Sequence, residues 1–414
     1  MKKLFVFALA ATAIVGCSKS ENGEGAKVPG QTDQLRVLTS VSTQTRTAID
    51  GTSFPKGSYI GVQVTKTNDT ELMTGASGNG TYLYYSDAKN VRFGNEAGVN
   101  TWSSIDEDNK THLFLLTGTD VGRARGYYPY TAALDGIGAN ETTGAKIPVQ
   151  IQKTGEITVG DENDPSTGSD NNAGTFDDKL AYTSENEIDY MYDDTPQGDS
   201  KFNYEVSASS TTTAKLRLAH ALSRVSFRMY TAFNAPKAFV NDNDSYYELV
   251  GYTIKNRTGS TEFCANFDGN TKMNIATGKL EGVLSGGEIS RTISGYKMKR
   301  SVADTNDDNK DAADASYRVS NLVFPLDQIT PDDDNAQISK NIEVVFQIVK
   351  VSGTGDKSEP IGYALPFAIT AESGSWDRGS NYTYTVKFTG TALSIETVTV
   401  TDWVEVIGGD MEIE

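Results

Sequence analysis

Short runs rich in Val, Ile, Tyr, Phe and Thr recur along this chain between clusters of Gly, Asn and Asp, with no helical segments alternating between them. The runs fall at residues 59–65, 112–116, 126–130, 147–152, 246–255, 319–326, 342–351, 361–369, 382–388 and 393–406, and a β-branched run at 35–43 precedes them. β-Branched and aromatic side chains fit a pleated, half-buried surface, and short strands at this density build antiparallel sandwiches rather than βαβ units. The expected fold class is therefore all-β. Domains average about 150 residues, so a chain of 414 residues has room for two or three. The Asp- and Gly-containing stretch 185–201, followed by the Ser/Thr run 207–213, sets a junction near residues 205–214. That junction divides the chain into two antiparallel β-sandwich domains in tandem, 47–208 and 209–414.

One segment supports two readings. Leu216, Leu218, Leu222, Val225, Phe227 and Met229 alternate with a phase slip after Leu222, as a β-bulge would produce. Leu218, Leu222, Val225 and Met229 also form a helical stripe, although the β-rich surroundings favour a strand. The polar stretches 154–174, 185–201 and 304–314 read as surface loops, because Asp, Asn, Gly and Thr favour turn conformations.

Residues that carry chemistry are scarce. Of two Cys and two His in the chain, His112 and His220 sit inside apolar strand-like runs and read as hydrogen-bonded core residues. Cys264, between Phe263 and Ala265, reads as a packing residue. No phosphate-binding Gly loop, nucleophile elbow or paired Cys motif is present, so the expectation is no enzyme, no catalytic residue, no cofactor and no metal. The Asp-rich stretch tests calcium: Asp304, Asn306 and Asp308 supply oxygens at alternate places, but Asn309 replaces the turn Gly and Ala315 the bidentate Glu. A solvated acidic loop is the plainer reading. A net charge of −18 makes nucleic acid and anionic membrane surfaces poor partners.

The N-terminus sets the compartment. Met1, Lys2 and Lys3 form a basic start and residues 4–15 an apolar run, shorter than the roughly 18–20 residues a membrane span needs. Ile14, Val15, Gly16 and Cys17 resemble a bacterial lipobox, which makes 1–17 a lipoprotein signal peptide. Membrane attachment would then come only through lipid on Cys17. Residues 18–46 follow as a flexible tether and one strand, ending at the single basic residue Arg46 before an Asp50-Gly51 turn.

Several segments together resemble the fimbrillin, or Mfa-like, family of Bacteroidales, subunits of type V pili. They are Thr45-Arg46-Thr47 with residues 54–62, Tyr128-Pro129-Tyr130, Asp189 to Tyr192, Leu218 to Val225 around His220, and Trp376, Gly379, Tyr382 to Tyr384, Asp402 and Trp403. Ser58 stands where the family usually has Asp. The resemblance implies two transthyretin-like β-sandwich domains and scaffold roles for these aromatics. It also implies a lipid-anchored outer-membrane precursor that a protease trims after Arg46, before Thr47, to free a groove that another subunit's strand fills.

The chain has parts to match. Residues 35–43 would be the cleavable cap strand, with Arg36 a poorer cleavage point because cutting there leaves most of the strand in place. Val404, Val406, Met411 and Ile413, the last two behind a Gly408-Gly409 hinge, are candidate donor-strand plugs. The alternative is a last core strand followed by a frayed end. A strand of about eight residues burying four apolar side chains contributes on the order of 6–12 kcal/mol before ordering costs. Partners would be copies of the chain and other pilus subunits, with the adhesion ligand unspecified, in a cell-surface fimbrium. Rival roles are a tip or anchor subunit, or a surface glycan-binding lipoprotein using Trp102, Trp376 or Trp403.

Overall fold

The computed structural model describes residues 36–41, 54, 57–66, 90–95, 101–104, 121–135, 145–159, 181–184, 186–194, 204–207, 213–261, 263–326, 342–366 and 376–402. In chain order the first strands are β1 Arg36–Val41, β2 Tyr59–Lys66, β3 Val91–Gly94, β4 Thr101–Ser104, β5 Val121–Tyr128, β6 Lys146–Pro148 and β7 Thr154–Thr158. Next come β8 Ala181–Thr183, β9 Met191–Asp193, β10 Tyr204–Ser207, β11 Thr213–His220, β12 Ser223–Thr231, β13 Tyr246–Asn256 and β14 Lys272–Asn274. The last are β15 Leu280–Glu281, β16 Glu288–Lys297, β17 Lys299–Arg300, helix α1 Asn306–Asp314, β18 Arg318–Val323, β19 Ile342–Val351, β20 Ile361–Pro366, β21 Ser380–Phe388 and β22 Leu393–Asp402.

The fold is all-β, in four sheets. An eight-stranded sheet runs β10-β5-β2-β3-β4-β1-β11-β9, and a six-stranded one is built on β22-β21-β12-β18-β8 with β17 beside β12. A five-stranded sheet runs β20-β19-β13-β16-β7, and β15-β14-β6 form a small sheet of three strands. The six- and five-stranded sheets pack face to face as a sandwich. Phe227 of β12 meets Tyr252 of β13 at 4.9 Å and Phe346 of β19 at 5.2 Å between ring centres, both edge to face. Alternation makes this possible: in β19, Ile342, Val344, Phe346 and Ile348 are buried while the residues between them are half exposed.

Pairing is mixed rather than purely antiparallel. β1 on β11, β12 on both β17 and β21, β7 on β16 and β8 on β18 all run parallel, because the chain crosses between sheets before returning. The phase slip after Leu222 is not a bulge. It is a crossover: β11 belongs to the eight-stranded sheet, Ala221 and Leu222 turn, and β12 starts the six-stranded one. Strands before and after residue 208 share sheets throughout, with β1 on β11, β6 on β14, β7 on β16 and β8 on β18.

The polar stretches are not simply loops. The stretch 154–174 begins with β7, the stretch 185–201 contains β9, and 304–314 contains α1. Asp and Asn are weak helix formers, but position rescues them here. The Thr305 side chain accepts from the Asp308 N–H at the N-cap, Asp307 and Asp308 sit in the first turn where the dipole favours negative charge, and Ala312 and Ala313 are buried. A helical backbone spaces Asn306 and Asp308 along an axis instead of wrapping them around an ion, so the calcium-loop geometry is absent from this stretch.

Candidate functional site

β1 lies inside the eight-stranded sheet, not at its edge. Arg36 to Val41 run parallel to, and in register with, Thr213 to Leu218 of β11. On its other side Val37 and Leu38 lie opposite Trp102 and Thr101 of antiparallel β4. Withdrawing β1 would leave two facing strand edges with unpaired N–H and C=O groups, a slot one strand wide.

Both walls of that slot are held independently of β1. β4 pairs with β3 through Ser103 and Ser104. β11 is held at its far edge by β9, where Leu218, Ala219 and His220 pair with Asp193, Tyr192 and Met191. Arg217 adds an ion pair to Asp194 at 2.5 Å and a hydrogen bond to its carbonyl at 3.0 Å. Leu216 and Leu218 are buried and lie so close over Gly126 of β5 that a Cβ there would sit 2.8 Å from Leu216 Cδ1 and 3.1 Å from Leu218 Cδ2. A side chain at Gly126 would have to displace these leucine tips, so the close approach of β5 beneath the slot wall favours glycine there.

At the end of β11 the buried His220 Nδ1 lies 2.6 Å from Asp189 Oδ1, donating to the carboxylate. Burial holds the imidazole below its usual pKa, with the Asp189 charge and hydrogen bond working in the opposite direction. The unfolded state therefore binds this proton first. Stability from the neutral ring is complete above the unfolded value near 6.5 and is lost as pH falls below it. The expected result is a melting temperature that drops between about pH 7 and pH 5.5, and a smaller drop in a His220→Gln variant. Equal pH slopes in the two proteins would contradict it.

Other residues singled out in the sequence take structural places. Trp376, Tyr382 and Tyr384 are fully buried; Trp376 Nε1 donates to Tyr384 Oη at 2.9 Å, and the Asp377 N–H to Tyr382 Oη at 2.8 Å. Trp376 therefore has no face for a sugar. Pro129 follows the end of β5. Cys264 is buried, and burial pushes its thiol up to about 11, so it stays protonated. Among the described residues no group of three His, Cys, Asp or Glu is placed to hold a metal ion, and no helix is long and apolar enough to cross a membrane.

Cys17, Arg46, Thr47, His112, Trp403, Val404, Val406, Met411 and Ile413 lie outside the described residues. Arg46 follows β1 by five residues, and the donor candidates follow β22. β22 ends with Asp402 opposite Ser380, at the end of the six-stranded sheet's strand order, so the chain's last described strand and β1 belong to different sheets. Sequence reasoning missed β4 and β9, which are four and three residues long and carry too few residues for a period to register.

No protein-family model matches the chain, and no curated protein matches it. Solved structures do. One, described as a candidate cell adhesion protein from Bacteroides ovatus, is 15% identical, with 91% of this chain and 100% of that chain covered and a TM-score of 0.48. A fimbrial protein from Bacteroides vulgatus is 10% identical over 89% of this chain and 99% of that one, with a TM-score of 0.43. A candidate polysaccharide binding protein from Bacteroides thetaiotaomicron is 12% identical over 91% and 99%, with a TM-score of 0.33. These three structures are thus Bacteroides proteins described by cell adhesion, fimbrial and polysaccharide-binding names.

Proposed function

We propose that this chain is a structural fimbrial subunit of the Mfa-like kind, supporting adhesion, that polymerises by strand exchange after proteolysis. It is exported as a precursor anchored in the outer membrane by lipid on Cys17, and ends in a cell-surface fimbrium. The observation that carries the reading is the place of β1: a strand joined to the N-terminal tether, seated between β4 and β11, and followed five residues later by Arg46. A strand so placed can be removed by one cut without breaking any other connection in the sheet. The slot offers an incoming strand two rows of backbone partners, as in other cases of strand addition. A C-terminal segment carrying Val404, Val406, Met411 and Ile413 supplies the alternating apolar residues such a strand needs.

The test is cleavage by a trypsin-like protease. Treated protein is expected to gain a new N-terminus at Thr47, read by mass spectrometry, and then to form high-mass ladders on gels that heating disperses. An Arg46→Ala variant is expected to stay monomeric under the same treatment. Ladders that form from Arg46→Ala with β1 still attached would overturn the proposal.

A further inference from the structure

The chain visits the second half's sheets before it has finished the first. Between β5 and β9, both in the eight-stranded sheet, residues 145–184 contribute one strand to each of the other three sheets: β6 pairs with β14, β7 with β16 and β8 with β18. Each of the three is the terminal strand in its sheet's order. Only then does the chain return, with β9 pairing with β11 and β5.

These are not surface appendages. Ile147, Val149, Ile151 and Ile157 are buried in the core that Phe227, Tyr252 and Phe346 share. Backbone bonds run in both directions: the Ile275 N–H donates to the Ala145 carbonyl at 2.9 Å, Val149 to Thr271 at 3.0 Å, Ser290 to Lys153 at 2.7 Å and Asp193 to Ile275 at 3.0 Å. A buried ion pair joins Glu187 to Arg291 of β16. Arg291 Nη2 also donates to the Gln152 carbonyl at 3.0 Å, and Thr183 Oγ1 to Glu187 Oε2 at 2.9 Å.

We propose that strands β6 to β9 form a strap that locks the two halves of the chain into one cooperative unit, so that neither half unfolds without the other and cuts on either side of the strap do not release it. If the strap leaves, three sheets lose an outer strand, the eight-stranded sheet loses β9, and the buried Arg291 loses Glu187. β9 ties the strap directly to β11 and β5. The inference rests on pairings among described residues and is independent of the strand-exchange reading above.

Two single-tryptophan variants of the full chain test it, one keeping Trp102 in β4 and one keeping Trp376 beside β21, with the other tryptophans changed to Phe. Within each variant, fluorescence and far-ultraviolet circular dichroism are expected to give one urea midpoint, and Ile157→Ala is expected to lower the midpoints of both variants by the same amount. Where Ile157→Ala does not fold, Ile157→Val carries the same comparison. In a second measurement, sites for a highly specific protease are inserted at 136–144 and 195–203, and the cut protein is run on size exclusion. The fragments are expected to elute together at the full-length position and to separate only in denaturant. A fluorescence midpoint that departs from the circular-dichroism midpoint within either variant, an Ile157 substitution felt by Trp376 alone, or loss of the middle fragment in native buffer would each overturn the lock.

Discussion

Glu187→Gln is expected to cost about 3–5 kcal/mol of unfolding free energy, the usual penalty for leaving one partner of a buried ion pair alone. Arg291 is fully buried and Glu187 nearly so, and burial pushes the carboxyl above its usual pKa even with the guanidinium beside it. That balance shows how expensive the site is to desolvate. Glutamine keeps the shape and can still meet Thr183 and the Leu322 N–H, so the variant isolates the charge. At roughly 1 °C per kcal/mol for one cooperative unit of this size, the melting temperature falls by about 3–6 °C. Adding Arg291→Met is expected to recover most of the loss, because the two effects are not additive when they remove one interaction. Urea unfolding of the four proteins of this cycle provides the check. A single substitution costing less than about 1 kcal/mol would mean that the pair is wetter than its burial indicates.

A chain that begins at Thr47 is expected to be less stable as a monomer than the full chain and to associate at concentrations where the full chain does not. β1 pairs on both sides, so its absence exposes two strand edges at once and not one. A synthetic peptide of residues 33–44 added in excess is expected to raise the melting temperature and suppress association. The same peptide with Thr39→Pro is the control. Thr39 lies opposite Leu216 in the middle of the register, and proline there removes a ladder donor. A Thr47 chain that stays monomeric and as stable as the full chain, or a peptide whose proline version works equally well, would remove β1 from any role in assembly.

Much of the β architecture is legible in the sequence, for reasons particular to each element. β19 can be read residue by residue because one face is core and the other is half exposed, so Ile342 to Val351 alternate. β12 cannot. Its Val225, Phe227 and Met229 do alternate with Arg224, Ser226 and Arg228, but that alternation does not reveal that all nine residues are buried, the polar ones between neighbouring strands and α1. α1 was hidden for the opposite reason: its residues favour loops, and only the Thr305 cap and the burial of Ala312 and Ala313 against β12 make it a helix. The candidate site divides in the same way. The strand at 36–41 and the basic residue after it are visible in the sequence, whereas its pairing with the walls β4 and β11 is not, since those contacts reach across more than 60 and more than 170 residues respectively.

What the amino-acid sequence determined by itself is local: an all-β chain, the positions of most longer strands, and a His220 that belongs in a core. Periodicity, turn residues and side-chain shape act over a few residues, so one chain is enough to read them. The tertiary structure alone decided which strands pair. It placed β1 between β4 and β11, sent β6, β7 and β8 into sheets built from the second half, and brought Glu187 to Arg291 across 104 positions. Those choices follow from burying one set of apolar faces while pairing strands and partnering buried charges such as Arg291, a condition that no local window of sequence contains.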